Sequence, residues 1–153
     1  MTSIKPCLWF DNRIDEAIEF YTKTFKNAKV TNVNRSAPGQ PAFTAEFELE
    51  NQKFMALNGG PQFKFNESVS FFVTCADQAE VDYFWTTMTA DGGEESKCGW
   101  LKDKFGLSWQ IVPKQLFETL GGSDRAGAQR AMQAMMQMRK LIVADLQKAY
   151  AGA

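Results

Sequence analysis

Hydrophobic residues recur along the chain with two periods, one of two residues and one of 3.6 residues. The segment 43–49 places an apolar side chain at every second position, with threonine and glutamate between them, which predicts a half-buried strand. The segment Ile14–Lys26 places its apolar side chains on one helical face, which predicts a helix that Asp11-Asn12 can cap. The segment Gln78–Thr89 predicts a second helix, ended by Asp91-Gly-Gly93.

The other predicted strands complete two halves of similar order. They cover residues 4–10, 28–34 and 53–57 in the first half, and 68–73 with the hairpin 98–113 in the second. The chain therefore reads β-α-β-β-β and then β-α-β-β, which indicates a duplicated module. Strands joined as hairpins favour an α+β fold with a mostly antiparallel sheet and helices packed on one face.

A helical extension is predicted to follow the duplicated modules. Ser123-Asp124 can cap a helix that runs to about Met138, residues 141–143 either continue or bend it, and a shorter helix covers 144–150. We expect one domain over 1–117, with modules at about 1–60 and 67–114, and the extension over 118–153. The methionines of the extension favour adaptable packing against the domain or a second copy over a peptide-binding groove.

The segment from Cys98 to Pro113 is the most informative hairpin. Gly106 can adopt the positive φ that its turn needs, and Pro113 ends the return strand because it lacks a backbone donor. On that strand Trp109 and Ile111 point to one face, while Ser108 and Gln110 point to the other. One face is therefore apolar and the other polar.

Composition excludes several classes of function. The formal net charge of -1 over 153 residues disfavours nucleic-acid and anionic-membrane binding. The chain has no histidine, which excludes His-dependent triads and His-containing metal sites. The three cysteines are scattered and predict reduced, mostly buried thiols in a cytoplasmic protein. No apolar run is long enough to span a membrane, and no signal-peptide core is present.

Four segments resemble one known family. They are Leu8-Trp-Phe-Asp11, the helix around Glu19-Phe20-Tyr21, the segment from Phe54 to Pro61, and above all the hairpin. Together they resemble the PhnB-like branch of the vicinal oxygen chelate superfamily, which includes glyoxalase I, bleomycin-resistance proteins and extradiol dioxygenases. Members of this branch often carry a label as ubiquinone-pathway methyltransferases. The resemblance implies two βαβββ modules that form a U-shaped sheet around a cavity, commonly in a homodimer.

The metal enzymes of this superfamily use four inward side chains, mostly His and Glu, to hold a divalent ion that acts as a Lewis acid. By strand register, those positions correspond here to Lys5, Ala56, Ser70 and Gln110, with Cys7 or Ser68 as alternatives if the register slips. An ammonium repels a divalent cation and alanine offers no ligand. We therefore expect no metal and no cofactor, and we do not expect glyoxalase or dioxygenase activity.

The same register predicts the lining of a small-molecule pocket, because its inward side chains mix aromatic with small polar groups. The predicted lining residues are Lys5, Cys7, Trp9, Phe54, Ala56, Asn58, Ser68, Ser70, Phe72, Ser108 and Gln110. The side chains predicted to face the helices are Leu8, Phe10, Met55, Leu57, Val69, Phe71, Trp109 and Ile111. An alternative is that the polar set bonds only to itself and to water in a vestigial trough.

Two charged patterns are interpreted as surface features. Glu46 and Glu48 share one face of a strand, which is typical of a solvated surface more than of a catalytic carboxylate pair. Lys102-Asp103-Lys104 is interpreted as a charged turn and not as an anion site. Gly59-Gly60 lacks the Lys-Ser/Thr that follows in a phosphate-binding loop.

Three hypotheses for function follow. The first, which we favour, is a metal-free protein that binds a small molecule, as drug-sequestering resistance proteins do. The second is an enzyme of the same superfamily that uses Lys5, Cys7 or a carboxylate in place of a metal, as a lyase, isomerase or transferase. The third is a structural or interaction dimer with a residual pocket. A methyltransferase of the common class is rejected, because no glycine-rich turn follows the first strand.

Overall fold

The structure, a computed structural model, describes residues 1–153 and divides into two compact units. The first unit covers Met1–Phe65 and the second covers Asn66–Ala153. Each unit contains one four-stranded mixed sheet, so the predicted α+β class and the duplicated order of elements are confirmed. None of the helices has the combination of length and apolar character that crossing a membrane requires.

The first unit is a βαβββ module. Its elements are β1 (Cys7–Phe10), α1 (Ile14–Thr24), β2 (Ala28–Arg35), β3 (Ala42–Leu49) and β4 (Gln52–Asn58). The strand order is β1-β4-β3-β2, with β1 parallel to β4 and the other neighbours antiparallel. The first strand begins three residues later than predicted, at Cys7.

The core of this unit lies between α1 and one face of the sheet. Tyr21 of α1 stacks on Phe47 of β3 with ring centroids 6.1 Å apart, and Phe47 stacks on Phe54 of β4 at 5.2 Å. Aromatic stacking of this kind contributes about 0.5–1.5 kcal/mol per pair beyond the burial of area. The helix-facing side of the sheet is therefore fixed by these three rings.

This core corrects the predicted orientation of β4. Phe54 and Ala56 are buried on the helix side, where Ala56 lies next to Leu8, so Met55 and Leu57 face away from the helix. The prediction was wrong because four consecutive apolar residues carry no alternation that would assign a face. A second correction concerns Phe43, which is 50% exposed because an irregularity in the β2–β3 pairing places it out of register.

The second unit repeats the module and adds a helical extension. Its elements are β5 (Ser70–Cys75), α2 (Gln78–Thr89), β6 (Glu94–Glu95), β7 (Trp100–Lys102), β8 (Ser108–Pro113), α3 (Lys114–Leu120), α4 (Arg125–Met135) and α5 (Val143–Ala151). The strand order is β5-β8-β7-β6, with β5 parallel to β8. The short strand β6 and the helix α3 have no counterpart in the sequence prediction. Val69 precedes the sheet and is exposed, contrary to the prediction that its side chain faces the helices.

The extension packs into the second unit through an apolar cluster. Leu141 and Leu146 are fully buried against Val112 at the end of β8 and Leu116 of α3. The backbone of the segment before Leu141 also bonds to the hairpin, since Cys98 N donates to Met138 O at 2.8 Å. The extension is therefore part of the core of this unit.

Candidate functional site

The face of the first sheet that points away from α1 carries charged and aromatic groups. Lys5 forms an ion pair with Glu46 of β3, and both side chains are only partly exposed. The indole of Trp9 donates to Gly60 O at 2.8 Å and meets the ring of Phe63 edge-on at 4.9 Å. Cys7, which lies on the same face as Trp9 by alternation, is exposed. The structure therefore brings Lys5, Cys7 and Trp9 to one side of this sheet.

Glu46 is a residue that the sequence analysis missed, because its alternation with apolar residues was interpreted as a solvated surface. Its partnership with Lys5 spans 41 positions of sequence and carries no local signal. A lysine ammonium beside a carboxylate provides a donor and an acceptor to a ligand at the same place.

Asn58, a predicted pocket residue, has a structural role. Its Oδ1 accepts from the Ile14 backbone N at 3.3 Å, at the first residue of α1, and its Nδ2 donates to Ala42 O at 2.7 Å. Phe54 and Ala56 are buried on the side of the sheet that faces the helix. The predicted placement of these three residues in a pocket is therefore wrong.

Gly59 and Gly60 explain why β4 ends at Asn58 and the chain turns. A Cβ on Gly59 would lie 2.3 Å from the ring of Trp9, and Gly60 has a φ of 95°. Only glycine allows the backbone to lie this close to the indole and to turn in the left-handed region. The two glycines thus position Trp9.

The corresponding face of the second sheet contains the other predicted polar residues. Gln110 donates through Nε2 to Ser70 Oγ at 3.0 Å, across the β5–β8 pair. Phe72, on the same face, is 49% exposed and contacts the ring of Phe117 at 6.0 Å. Ser68 lies before β5 and bonds to Asn66, outside the sheet. The face therefore combines an amide, a hydroxyl and an accessible ring.

A cavity of about 140 Å³ opens beside this face. Its lining residues are Glu67, Glu94, Glu95, Ser96, Trp100, Leu101, Lys102 and Ser108. Ser108 is only 1% exposed, and its Oγ has no hydrogen-bond partner in the structure. Lys102 pairs with Glu67, and this pairing lowers the pKa of the Glu67 carboxyl. A buried hydroxyl without a hydrogen-bond partner is unusual, and a ligand or a water could supply that partner.

Trp100 and Lys102 were missed by the sequence analysis, although the hairpin contained the signal. Trp100 pairs with Gln110, and Lys102 pairs with Ser108. Directly opposed residues in an antiparallel pair share a face. Once Ser108 and Gln110 are predicted to lie on the polar face, their partners Lys102 and Trp100 are expected on the same face.

Asp103, interpreted as part of a charged turn, is instead buried at 2% exposure inside the hairpin. Its Oδ1 accepts from the backbone N of Phe105 at 2.9 Å and of Leu107 at 3.1 Å, and its Oδ2 accepts from Trp109 Nε1 at 2.9 Å. Gly106, at a φ of 84°, completes the loop. The carboxylate holds together the two strands that present Lys102 and Ser108 to the cavity.

The cysteines differ in environment. Burial raises the pKa of the Cys75 thiol to about 12, with the negative charge of Glu80 as a smaller cause. Cys98 is half-buried and has a φ of 59° at the start of the hairpin. Among the three, Cys7 is the exposed thiol, and it lies on the polar face of the first sheet.

The residues at the predicted metal positions do not fit a divalent ion. Ala56 faces the helix, Lys5 places an ammonium against Glu46, and Ser70 and Gln110 bond to each other. No three cysteine, aspartate or glutamate side chains are grouped closely enough to hold a metal. The donor set differs from the four His and Glu ligands that the resemblance implies.

Comparison with known proteins assigns the fold. A structure described as a putative 3-demethylubiquinone-9 3-methyltransferase, PhnB protein, from Bacillus cereus is 28% identical, with a TM-score of 0.66 over 73% of this chain and 99% of that chain. Protein PA1353 from Pseudomonas aeruginosa is 17% identical, with a TM-score of 0.59 over 74% of this chain and 98% of that chain. No curated protein matches the chain.

A more distant fold relative is a fosfomycin resistance protein, FosX, from Listeria monocytogenes, complexed with Mn(II) and sulfate. It is 15% identical, with a TM-score of 0.52 over 72% of this chain and 89% of that chain. The family model described as 3-demethylubiquinone-9 3-methyltransferase matches residues 2–112. The chain therefore belongs to the family that this model describes, of which the PhnB protein of Bacillus cereus carries the same description.

Proposed function

We propose that this protein binds a small molecule on the polar face of its second sheet and does so without the superfamily's metal ion. The observation that carries the proposal is the cavity of about 140 Å³ lined by Trp100, Lys102 and Ser108. An aromatic ring, a charge and a hydroxyl converging on a concavity are typical of a ligand pocket. Ser70, Phe72 and Gln110 extend the same face.

The metal-free part of the proposal rests on side-chain chemistry. The positions that strand register assigns to the superfamily's metal ligands include an alanine turned toward the helix and a lysine paired with a carboxylate. Oxygen ligands for a hard cation are not assembled at these positions.

Localisation in the cytoplasm and assembly into a homodimer remain predictions.

The name of the family model is not adopted as an activity. Methyltransferases of the common class use a doubly wound parallel sheet with a glycine-rich turn after its first strand. Here each sheet has one parallel pair and two antiparallel pairs, in the orders β1-β4-β3-β2 and β5-β8-β7-β6. Ligand binding accounts for the polar faces without that chemistry.

A second candidate function is metal-independent catalysis, favoured by the Lys5–Glu46 pair beside the exposed Cys7. The ammonium and the carboxylate can exchange a proton with a bound molecule. Under this alternative, Lys5→Met leaves ligand binding intact but abolishes conversion of the ligand, followed by mass spectrometry of the incubated mixture.

The proposed function is tested by thermal denaturation of the full chain with a metabolite collection and, separately, with Mg²⁺, Mn²⁺, Ni²⁺ or Zn²⁺ at matched ionic strength. A ligand present at 100 times its Kd stabilises by about 2.7 kcal/mol. For a chain of this size that raises Tm by about 5–10 °C. We expect such a rise from at least one metabolite and none from the divalent ions.

Single substitutions test where on the protein the ligand binds. Trp100→Ala and Gln110→Leu should abolish the ligand-dependent rise in Tm, while Gln133→Leu, an exposed position on α4, should preserve it. A saturable Mn²⁺-dependent rise that Glu46→Gln removes would refute the metal-free proposal. A ligand-dependent rise that all three variants keep would place binding elsewhere.

A further inference from the structure

The charge of the cavity beside the second sheet indicates which ligands it can accept. Its lining includes three carboxylates, from Glu67, Glu94 and Glu95, and one ammonium, from Lys102. Lys102 is already paired with Glu67, and Glu95 accepts from the indole of Trp85. Glu94 lies directly opposite Lys102 in the β6–β7 pair, but the Lys102 ammonium is paired with Glu67. A ligand anion would therefore meet excess negative charge, whereas a ligand cation would meet an available carboxylate.

Ser108 supplies an observation that is independent of this charge. The residue is 1% exposed and lines the cavity, and its Oγ has no partner. By alternation its side chain lies on the opposite face from Trp109, which packs in the core. A hydroxyl oxygen offers two lone pairs, so an N–H donor entering the cavity would satisfy an atom that the fold leaves unsatisfied.

Trp100 adds a surface suited to the same ligand. Its ring is half-buried and lines the cavity beside Ser108. The face of an indole attracts an ammonium and also packs against apolar carbon. An engineered cavity of about 150 Å³ in another protein holds one benzene ring, so the volume here accommodates about one six-membered ring, and further ligand atoms would lie at its open mouth.

We propose that the cavity lined by Trp100, Glu94 and Ser108 binds a small organic primary ammonium, whose N–H groups bond to Ser108 Oγ and the Glu94 carboxylate. The Lys102–Glu67 pair competes with this ligand, because its ammonium occupies one of the carboxylates. The inference rests on the proposed function, since it names the ligand class for the same face of the second sheet.

Three probes of nearly equal size test the proposal: benzylammonium, benzyl alcohol and benzoate, titrated into the full chain by calorimetry at constant ionic strength. We expect benzylammonium to bind at least about tenfold more tightly than benzyl alcohol, which is about 1.4 kcal/mol. We expect no detectable binding of benzoate. Equal binding of all three probes, or tightest binding of benzoate, overturns the proposal.

Matched variants separate the contributions of individual side chains to benzylammonium binding. Ser108→Ala and Glu94→Gln should each weaken benzylammonium binding about tenfold. Lys102→Met should strengthen it, because removing the competing ammonium frees Glu67. Ser123→Ala, a change of the same kind at an exposed loop position, should have no effect. Weaker binding in Lys102→Met, or unchanged binding in Ser108→Ala, contradicts the assignment.

The outcome also distinguishes this proposal from the broader one. If none of the three probes binds but a metabolite stabilises the protein through Trp100 and Gln110, the ammonium assignment fails and small-molecule binding stands. If benzylammonium binds as expected, both are supported. If neither a probe nor a metabolite binds, both fail.

Discussion

The buried carboxylate of Asp103 should contribute strongly to stability. It accepts hydrogen bonds from two backbone N–H groups, of Phe105 and Leu107, and from Trp109 Nε1, at 2.9–3.1 Å. Asp103→Ala leaves all three donors without this acceptor inside the hairpin. Hydrogen bonds to charged groups contribute about 1.5–3 kcal/mol each, offset in part by the cost of burying the charge. We expect a loss of about 3–5 kcal/mol.

The loss is measured by urea denaturation, with Tm as a second readout. At about 2–4 °C per kcal/mol for a chain of this size, Tm should fall by about 6–20 °C. Binding at the cavity should weaken as well, because Asp103 holds the strands that carry Lys102 and Ser108. A change in stability below about 1 kcal/mol would refute the structural role.

A double-mutant cycle tests the hydrogen bond between Asp103 Oδ2 and Trp109 Nε1. Asp103→Asn retains one oxygen for the backbone donors but places an N–H₂ group against Trp109 Nε1, so two donors face each other. The cost of Asp103→Asn should therefore be smaller in a Trp109→Phe background, by about 1–2 kcal/mol. Equal costs in both backgrounds would show that the indole bond does not contribute.

Three further predictions follow from the packing and the titratable groups. Leu141→Ala should destabilise the protein by about 2–5 kcal/mol in urea denaturation, because the side chain is fully buried in the cluster that joins the extension to the second unit. The pKa of Asp15 lies below its ordinary value of 3.8 because Arg35 hydrogen-bonds to its carboxylate. A depressed folded-state pKa stabilises at pH values above 3.8, and this contribution disappears as the pH falls through the folded-state value. Asp15→Asn should therefore lower Tm by less than about 3 °C at pH 7, and this difference should shrink as the pH falls below 3.8. At pH 8 a thiol reagent should modify Cys7 rapidly and Cys75 only after unfolding, because the Cys75 pKa of about 12 keeps that thiol protonated.

Each of these has a control or a contrary result. Met136→Ala, an exposed methionine of the extension, should change stability by less than about 0.5 kcal/mol. If Leu141→Ala behaves like this control, the extension is not part of the core. A stability difference for Asp15→Asn that grows as the pH falls would reverse the sign of the Arg35 interaction. Rapid labelling of native Cys75 would contradict its burial.

The sequence by itself determined the elements whose signal is local. The 3.6-residue stripe predicted α1 to within two residues, and the alternation of Trp109 and Ile111 with Ser108 and Gln110 predicted the two faces of β8. Gly106 adopts the positive φ expected of the hairpin turn. These features follow from backbone geometry and from the period of side chains along one segment.

Only the tertiary structure decided which face of β4 meets the helix. Residues 54–57 are all apolar, so the assignment depends on the pairing of Ala56 with Leu8 and of Phe54 with Phe47. Likewise, Asp103 is buried because backbone donors replace its hydration, and Glu46 belongs to the polar face because Lys5 pairs with it. Such partners come from other segments of the chain, and their energies depend on distances that no single stretch of sequence contains.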